Sequence, residues 1–352
     1  MTDRSTAIEI AGRRIGPGEP IYIIAELSAN HGQSFDRAVE LLRAAHAAGA
    51  DAVKLQTYTA DTLTIDCSAP PFQIHGGLWD GRNLHELYQE AYTPWEWQPK
   101  LKRIADDLGI HLFSTPFDQT AVDFLEEMQV PAHKVASFEI VDLPLLRAIA
   151  RTGKPVIMST GMSTMSEIDE AVTTLREAGA AEIALLKCTS AYPAPPEEMN
   201  LRTIPHLAKA FGVPVGLSDH TLDLAVPVAA VTLGACILEK HFTLSRADGG
   251  PDSAFSLEPD EFRATVAAIR AAEKALGQVQ YGVAEREARN RVFRRSLFVV
   301  QDVAQGEELT AENVRSIRPG YGLHTRYLEH VLGRRASQDI PRGTPLSWDL
   351  VS

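Results

Sequence analysis

His220 and His241 each close a short apolar run, Val215-Gly216-Leu217 and Cys236-Ile237-Leu238, with one helix-length segment between the two runs. One such histidine alone reads as a hydrogen-bonded core residue. Two imidazoles at the tips of adjacent strands, beside carboxylates, point instead to one divalent ion with positions left open for water and substrate. An ion held that loosely acts as a Lewis acid on a carbonyl rather than as a structural pin. Polar residues end other apolar runs in the same way: Glu26, Lys54 with Gln56, Ser114-Thr115, Lys134 with Ser137 and Glu139, Ser159, Lys187 and Lys240. Lysine is rare at buried strand positions unless something pairs with it. Lys54, Lys134, Lys187 and Lys240 together point to a multiply anionic ligand, such as a phosphate that carries a carboxylate, except where a lysine turns outward or pairs with Glu26 or Glu139.

To bring these residues to one place, the strands must converge. Apolar, β-rich runs occur at 20–26, 52–57, 110–114, 133–137, 155–159, 182–187, 213–218 and 235–241. Between most of them lie stretches of helical periodicity, such as 35–50, 119–130 and 165–180, several closing on Gly-Ala or Gly-Val. Eight strand-then-helix repeats, with strands apolar enough to be buried on both faces, predict a (β/α)₈ TIM barrel, whose catalytic groups sit at the carboxyl ends of the strands. No G-x-G-x-x-G follows the first strand, which argues against a dinucleotide-binding sheet. The second and third strands are separated by a stretch too long for a usual connection, read as an insertion over the mouth of the site. After the helix at 260–277 the composition turns to short strands, turns and repeated Gly and Pro. The expected organisation is a barrel over 1–280, a charged linker at 281–294 and a small β-rich unit at 295–352, too small to have much core of its own.

Composition narrows the function. The chain of 352 residues is 45% hydrophobic and carries a formal charge of −12 without a Lys/Arg block, which argues against nucleic acid or an anionic membrane as partner. The N-terminus lacks an apolar signal core and nowhere do 18 apolar residues run together, so a cytoplasmic protein is expected. Cys67, Cys188 and Cys236 have neither disulfide parity nor CxxC spacing and read as buried free thiols.

The chain also resembles a known family along nearly its whole length. "IIAELSANHGQS" (23–34), "AGADAVKLQTY" (48–58), "FSTPFD" (113–118), "HKVASFEI" (133–140), "IMSTGMST" (157–164), "KCTSAYPAPPEEMNL" (187–201), "GLSDHT" (216–221), "LEKHFT" (238–243) and "GGPDSAFSL" (249–257) stand in the order found in the sialic acid synthases, which include N-acetylneuraminate, legionaminic acid and pseudaminic acid synthases. The C-terminal "SLFVVQDVAQGEELTAENV" and "RPGYG" resemble the antifreeze-like SAF domain of those enzymes, and "GGLWDGRNLHELYQEAYTPWEW" (76–97), "SFE" and "TSAYP" resemble the pseudaminic acid branch. The resemblance implies condensation of phosphoenolpyruvate (PEP) with an N-acyl amino sugar, for that branch 2,4-diacetamido-2,4,6-trideoxy-L-altrose, to a nine-carbon 2-keto acid and phosphate with cleavage of the C–O bond. It implies a manganese or magnesium ion on His220 and His241. It implies PEP contacts from Lys54, Thr115, Lys134, Ser137, Ser159 and Tyr192, with Ser190 standing where some relatives have Asn. Glu139 becomes the acid/base candidate, while Glu26, Gln56 and Asp252 orient the sugar and the metal-bound species. By the same resemblance, Arg318 of "RPGYG" reaches the partner's site in a domain-swapped homodimer.

Other readings of the residues remain open at this level. A Schiff-base aldolase would use Lys134 or Lys187 as nucleophile and need no metal. An octulosonate-phosphate synthase would lack the C-terminal unit. A non-catalytic carbohydrate-binding protein gives no reason for polar residues at so many strand ends.

Overall fold

The computed structural model describes residues 7–352, in which two compact units divide between Gly277 and Gln278. The first begins with an antiparallel hairpin, β1 (Ile8–Ile10) and β2 (Arg13–Ile15). Eight parallel strands then close a barrel: β3 (Tyr22–Glu26), β4 (Ala52–Thr57), β5 (His111–Pro116), β6 (His133–Val135), β7 (Val156–Ser159), β8 (Ile183–Cys188), β9 (Val215–Asp219) and β10 (Ile237–His241). The (β/α)₈ architecture expected from the spacing is therefore present.

Alternation of side chains across each strand decides which residues enter the barrel. The register sets Glu26 beside both Lys54 and His241, Gln56 beside Thr115, Lys134 beside Ile157, and Glu239 beside Ser218. These residues share the interior face. Toward the amino ends of the strands that face is apolar, with Tyr22, Ile24, Phe113, Ile157, Leu186 and Ile237 in one cluster. Ile8, Ile10 and Ile15 of the hairpin join it and close that end of the barrel. Packing is tight enough that a Cβ on Gly216 would lie 2.3 Å from the Ile237 carbonyl oxygen, so only glycine fits there.

The opposite face of each strand packs on the helices that follow. Helix Phe35–Ala47 buries Ala38, Leu41, Leu42 and Ala45, and helix Met165–Glu177 buries Ile168, Ala171, Val172 and Leu175. Both starts are fixed by side chains: Ser34 Oγ accepts from Arg37 N, and Thr164 and Glu167 cap each other's backbone amides.

Three sequence expectations are corrected by the folded strands. Lys187 and Lys240 have outward parity. Lys187 Nζ donates to the Cys188 carbonyl at 2.6 Å and to Thr189 Oγ1 at 3.0 Å, while Lys240 Nζ pairs with Asp219 at 2.6 Å. Only Lys54 and Lys134 of the four lysines enter the barrel, so the anionic-ligand argument rests on two. Ser114 also faces away from the interior, its hydroxyl 2.6 Å from that of Thr57. Finally, β6 stops at Val135, and Ser137–Glu139 is a single 3₁₀ turn rather than a continuation of the strand.

The long excursion after β4 carries helices Ala60–Leu63 and Leu84–Ala91 before helix Gln98–Leu108 returns the chain to β5. The second unit holds the two-stranded sheet of β11 (Ser296–Val299) and β12 (Val314–Ile317), with its own core of Leu297, Val299, Leu309, Val314, Val331 and Ile340.

Candidate active site

At the carboxyl end of the barrel, a buried quartet of charges replaces the apolar filling. Lys54 forms an ion pair with Glu26 and lies 3.7 Å from Glu239, which in turn is 3.4 Å from Lys134. Two cations and two anions make the group neutral, which is what permits it to be buried. Glu239 was not singled out in the sequence, although its place two residues before His241 puts it on the same interior face. The four groups hold one another's protons unequally. Burial pushes Glu26 up to about 7 against the pull of Lys54, whereas at Glu239 the two lysines outweigh burial and hold the carboxyl down. Burial lowers Lys134, while Glu239 and Glu26 outweigh it at Lys54 and raise that ammonium.

Hydroxyl groups extend the quartet. Lys54 Nζ donates to Thr115 Oγ1 at 3.2 Å and Lys134 Nζ to Ser159 Oγ at 2.8 Å. Beyond Ser159 the backbone turns at Gly161, whose amide donates to Ser137 Oγ at 3.0 Å. A Cβ on that glycine would lie 2.3 Å from Ser190 Oγ and 2.8 Å from Ser137 Oγ. The missing side chain thus lets the Ser137 and Ser190 hydroxyls, from the loops after β6 and β8, converge near Ser159, a donor set suited to phosphate and carboxylate oxygens.

His220 and His241 stand side by side with ring centroids 5.4 Å apart. His220 Nδ1 donates to the Thr189 carbonyl at 2.9 Å, because a carbonyl oxygen only accepts, and in the neutral ring Nε2 then keeps its lone pair. His241 Nδ1 is buried without a hydrogen-bond partner. Burial, with His220 and Lys54 adding to it, holds the His241 pKa well below its ordinary value, so this ring is neutral. At His220 the Cys188 thiol and the Thr189 carbonyl outweigh burial and raise the pKa. A neutral His241 with an orphaned nitrogen, beside a His220 whose Nε2 lone pair is available in the neutral ring, fits a divalent ion. Among the described residues no group of three His, Cys, Asp or Glu side chains is placed to hold one, so its remaining positions would fall to water or substrate.

Aromatic rings brace the pair. Phe255 lies edge-on to His241 at 4.8 Å, and Tyr192 lies 4.5 Å from His220 and 5.0 Å from Phe255. Trp79, from the excursion after β4, packs on Tyr192 at 5.7 Å with its indole N–H donated to the Pro251 carbonyl at 3.0 Å. The excursion therefore does sit at the site, and Trp79 is a lining residue that spacing alone did not single out.

Glu139 hangs from the turn after β6. It is partly exposed, yet its Oε2 is buried without a hydrogen-bond partner. Burial pushes its carboxyl up to about 7, with Lys134 pulling the other way. Its charge also adds to the burial that raises the Tyr88 phenol, a second group supplied by the excursion. Across the barrel Gln56 Nε2 donates to Glu26 Oε1 at 3.2 Å, and Asp252 accepts from the Ser28 hydroxyl. Gln56 and Asp252 are both partly exposed.

Thirteen of the residues picked from the sequence thus lie in the first unit around one barrel mouth: Glu26, Lys54, Gln56, Thr115, Lys134, Ser137, Glu139, Ser159, Ser190, Tyr192, His220, His241 and Asp252. Arg318 lies in the second unit, exposed and with no polar partner among the described residues.

With this geometry in hand, comparison with known proteins is specific. The family model described as the NeuB family matches residues 41–281, and a SAF domain matches residues 294–352. A pseudaminic acid synthase of Helicobacter pylori is 45% identical, the match covering 94% of this chain and 98% of that protein. An N,N'-diacetyllegionaminic acid synthase of Legionella pneumophila is 35% identical over 95% of both chains. Among solved structures, the spore coat polysaccharide biosynthesis protein SpsE of Bacillus subtilis matches with a TM-score of 0.67 at 36% identity, covering 98% of this chain and 99% of its own.

Proposed function

The chain belongs to the NeuB family, and on that premise we propose that it condenses PEP with 2,4-diacetamido-2,4,6-trideoxy-L-altrose to give pseudaminic acid and phosphate. What carries the choice of sugar is the higher identity, over nearly the full chain, to pseudaminic than to legionaminic acid synthases. Other N-acyl hexose acceptors of the same enzyme class are the competing reading.

The chemistry assigned to each residue follows from its position. C3 of PEP attacks the aldehyde carbon of the open-chain sugar, water adds at C2, and the phosphate departs with its bridging oxygen, leaving the keto group at C2. Lys54 and Lys134, with Thr115, Ser137, Ser159 and Ser190, meet the phosphate and carboxylate oxygens of PEP, while Tyr192 walls the pocket. Glu26 and Glu239 keep the two ammonium groups extended in the barrel. His220 and His241 would hold a manganese or magnesium ion, which supplies Lewis acidity toward the sugar carbonyl. Glu139 takes the proton of the water that adds at C2, since a carboxyl poised near 7 has both forms available at neutral pH. Gln56 and Asp252 receive the sugar's hydroxyl and N-acyl groups.

The experiment is direct. Purified protein is given PEP with the L-altrose acceptor, with its legionaminic-series isomer and with N-acetylmannosamine, following phosphate release and product mass. Preference for the first acceptor is the expected result. Preference for either of the others replaces the sugar assignment, and phosphate release with none of the three sinks the proposal.

Among the described residues no helix is long and apolar enough to cross a membrane, and a cytoplasmic homodimer is the proposed state. In that dimer Arg318 donates to an amide oxygen of the sugar bound by the partner's barrel, which suits an exposed guanidinium with no polar partner among the described residues. Arg318→Ala is expected to raise the Michaelis constant for the sugar while leaving that for PEP nearly unchanged. At sugar concentrations low enough that each variant alone is nearly inactive, mixing Arg318→Ala with His241→Ala subunits should restore about a quarter of wild-type activity. Half of the randomly formed dimers are then mixed, and one of their two sites carries neither defect. No recovery after confirmed subunit exchange excludes the contact in trans.

A further inference from the structure

Ser28 occupies the left-handed backbone region, with φ of 44°, where glycine is at ease and a residue with a Cβ is not. It is buried, and both its amide and its hydroxyl are used on the site. Its amide donates to Glu26 Oε1 at 3.0 Å. Its hydroxyl donates to Asp252 Oδ2 and accepts from Gln56 Nε2 at 3.2 Å. The next backbone amide, that of Ala29, also holds the Asp252 carboxylate. One strained residue at the end of β3 therefore wires together Glu26, Gln56 from β4 and Asp252 from the loop after β10. The last two are partly exposed at the mouth, whereas Ser28 lies behind them.

Strain at a non-glycine residue persists only where the surroundings enforce it, and it concentrates at functional sites. Glycine would relieve the backbone at this position but supply no hydroxyl. We infer that Ser28 is a positioning residue for the acceptor sugar, its hydroxyl fixing the Asp252 carboxylate and the Gln56 amide in the orientation that receives the sugar's hydroxyl and N-acyl groups. The inference rests on the functional reading above and deepens it. Without the hydroxyl, Asp252 and Gln56 lose their shared tether. PEP, held by Lys54, Lys134 and the serine hydroxyls, keeps all its contacts.

Ser28→Gly and Ser28→Ala separate positioning from stability. Both delete the hydroxyl, but glycine also relieves the backbone while alanine leaves the strain in place. Steady-state kinetics with PEP and the diacetamido hexose should show the Michaelis constant for the sugar raised roughly tenfold in both variants, with that for PEP changed less than about twofold. Thermal unfolding should place the glycine variant at or above the wild type and the alanine variant at or below it. A Ser28→Gly protein with wild-type sugar kinetics overturns the inference alone. So does an effect confined to the less stable alanine variant, or an equal rise in the constant for PEP. A wild type that turns over none of the three N-acyl hexose acceptors removes the functional reading, and the role of Ser28 with it.

Discussion

Glu139→Gln is expected to lower kcat by roughly 10²–10⁴ while leaving the Michaelis constant for PEP within a few-fold of the wild type. The amide keeps the size and hydrogen-bonding reach of the side chain but cannot take a proton. The pH profile gives the sharper test. With the carboxyl pushed up to about 7 by burial, the base form is lost as pH falls through that value, so kcat/KM of the wild type should decline on the acid side near 7. The residual activity of the variant should show no such limb. Stability moves in the opposite sense. A folded-state pKa raised above its ordinary 4.5 means that ionising Glu139 costs stability progressively from about pH 4.5 through 7. Relative to the wild type, Glu139→Gln should therefore melt higher at pH 8 than at pH 5. A loss confined to the Michaelis constant for PEP would make Glu139 a binding residue, and a variant both inactive and unstable at pH 8 would make it structural.

Glu139 also marks where the sequence was legible and where it was not. Eight apolar runs separated by helical periodicity are the physical signature of strands buried on both faces, and all eight strands lie where those runs were read. Polar residues at their ends were legible for the same reason, since burying Lys54 or Lys134 in a barrel demands a partner. What spacing could not say was where a strand stops. Ser137 and Glu139 look like neighbours on one strand face, but the strand ends at Val135 and a 3₁₀ turn delivers both side chains. Adjacent residues caused the other errors. Lys240 and His241 cannot both face the interior, nor can Ser114 and Thr115, because successive side chains of a strand point to opposite faces. Applied to β10, that alternation would have exchanged Lys240 for Glu239 and found the carboxylate that bridges the two lysines. The hairpin of Ile8–Ile10 and Arg13–Ile15 was missed because each strand is three residues long, too short to show a period. Trp79 lies in an irregular segment, where no period exists and only the folded chain brings its ring onto Tyr192.

Removing either imidazole is the second large effect, and the two histidines are expected to respond alike. His220→Ala or His241→Ala should lower turnover by more than about 10³, the scale of several kcal/mol of charge stabilisation at a carbonyl oxygen. Each should also abolish the manganese signal change expected on titrating the wild type by electron paramagnetic resonance, a readout that does not depend on turnover. Two features favour equal losses. With no third acidic, imidazole or thiol ligand among the described residues, one remaining imidazole gives an ion little hold. The rings also belong to different strands, β9 and β10, braced by Phe255 at 4.8 Å from His241 and by Tyr192 at 4.5 Å from His220, so deleting one leaves the other in place without compensating movement. Folding should survive, because the barrel core of Tyr22, Ile24, Phe113, Ile157 and Ile237 lies toward the opposite end of the strands. Chelation of the wild type should reproduce the kinetic loss and added manganese should reverse it, whereas neither treatment should rescue the variants. Near-native turnover by either variant in metal-free buffer would leave the histidines as core residues, and with them would go the assignment of any ion to this site.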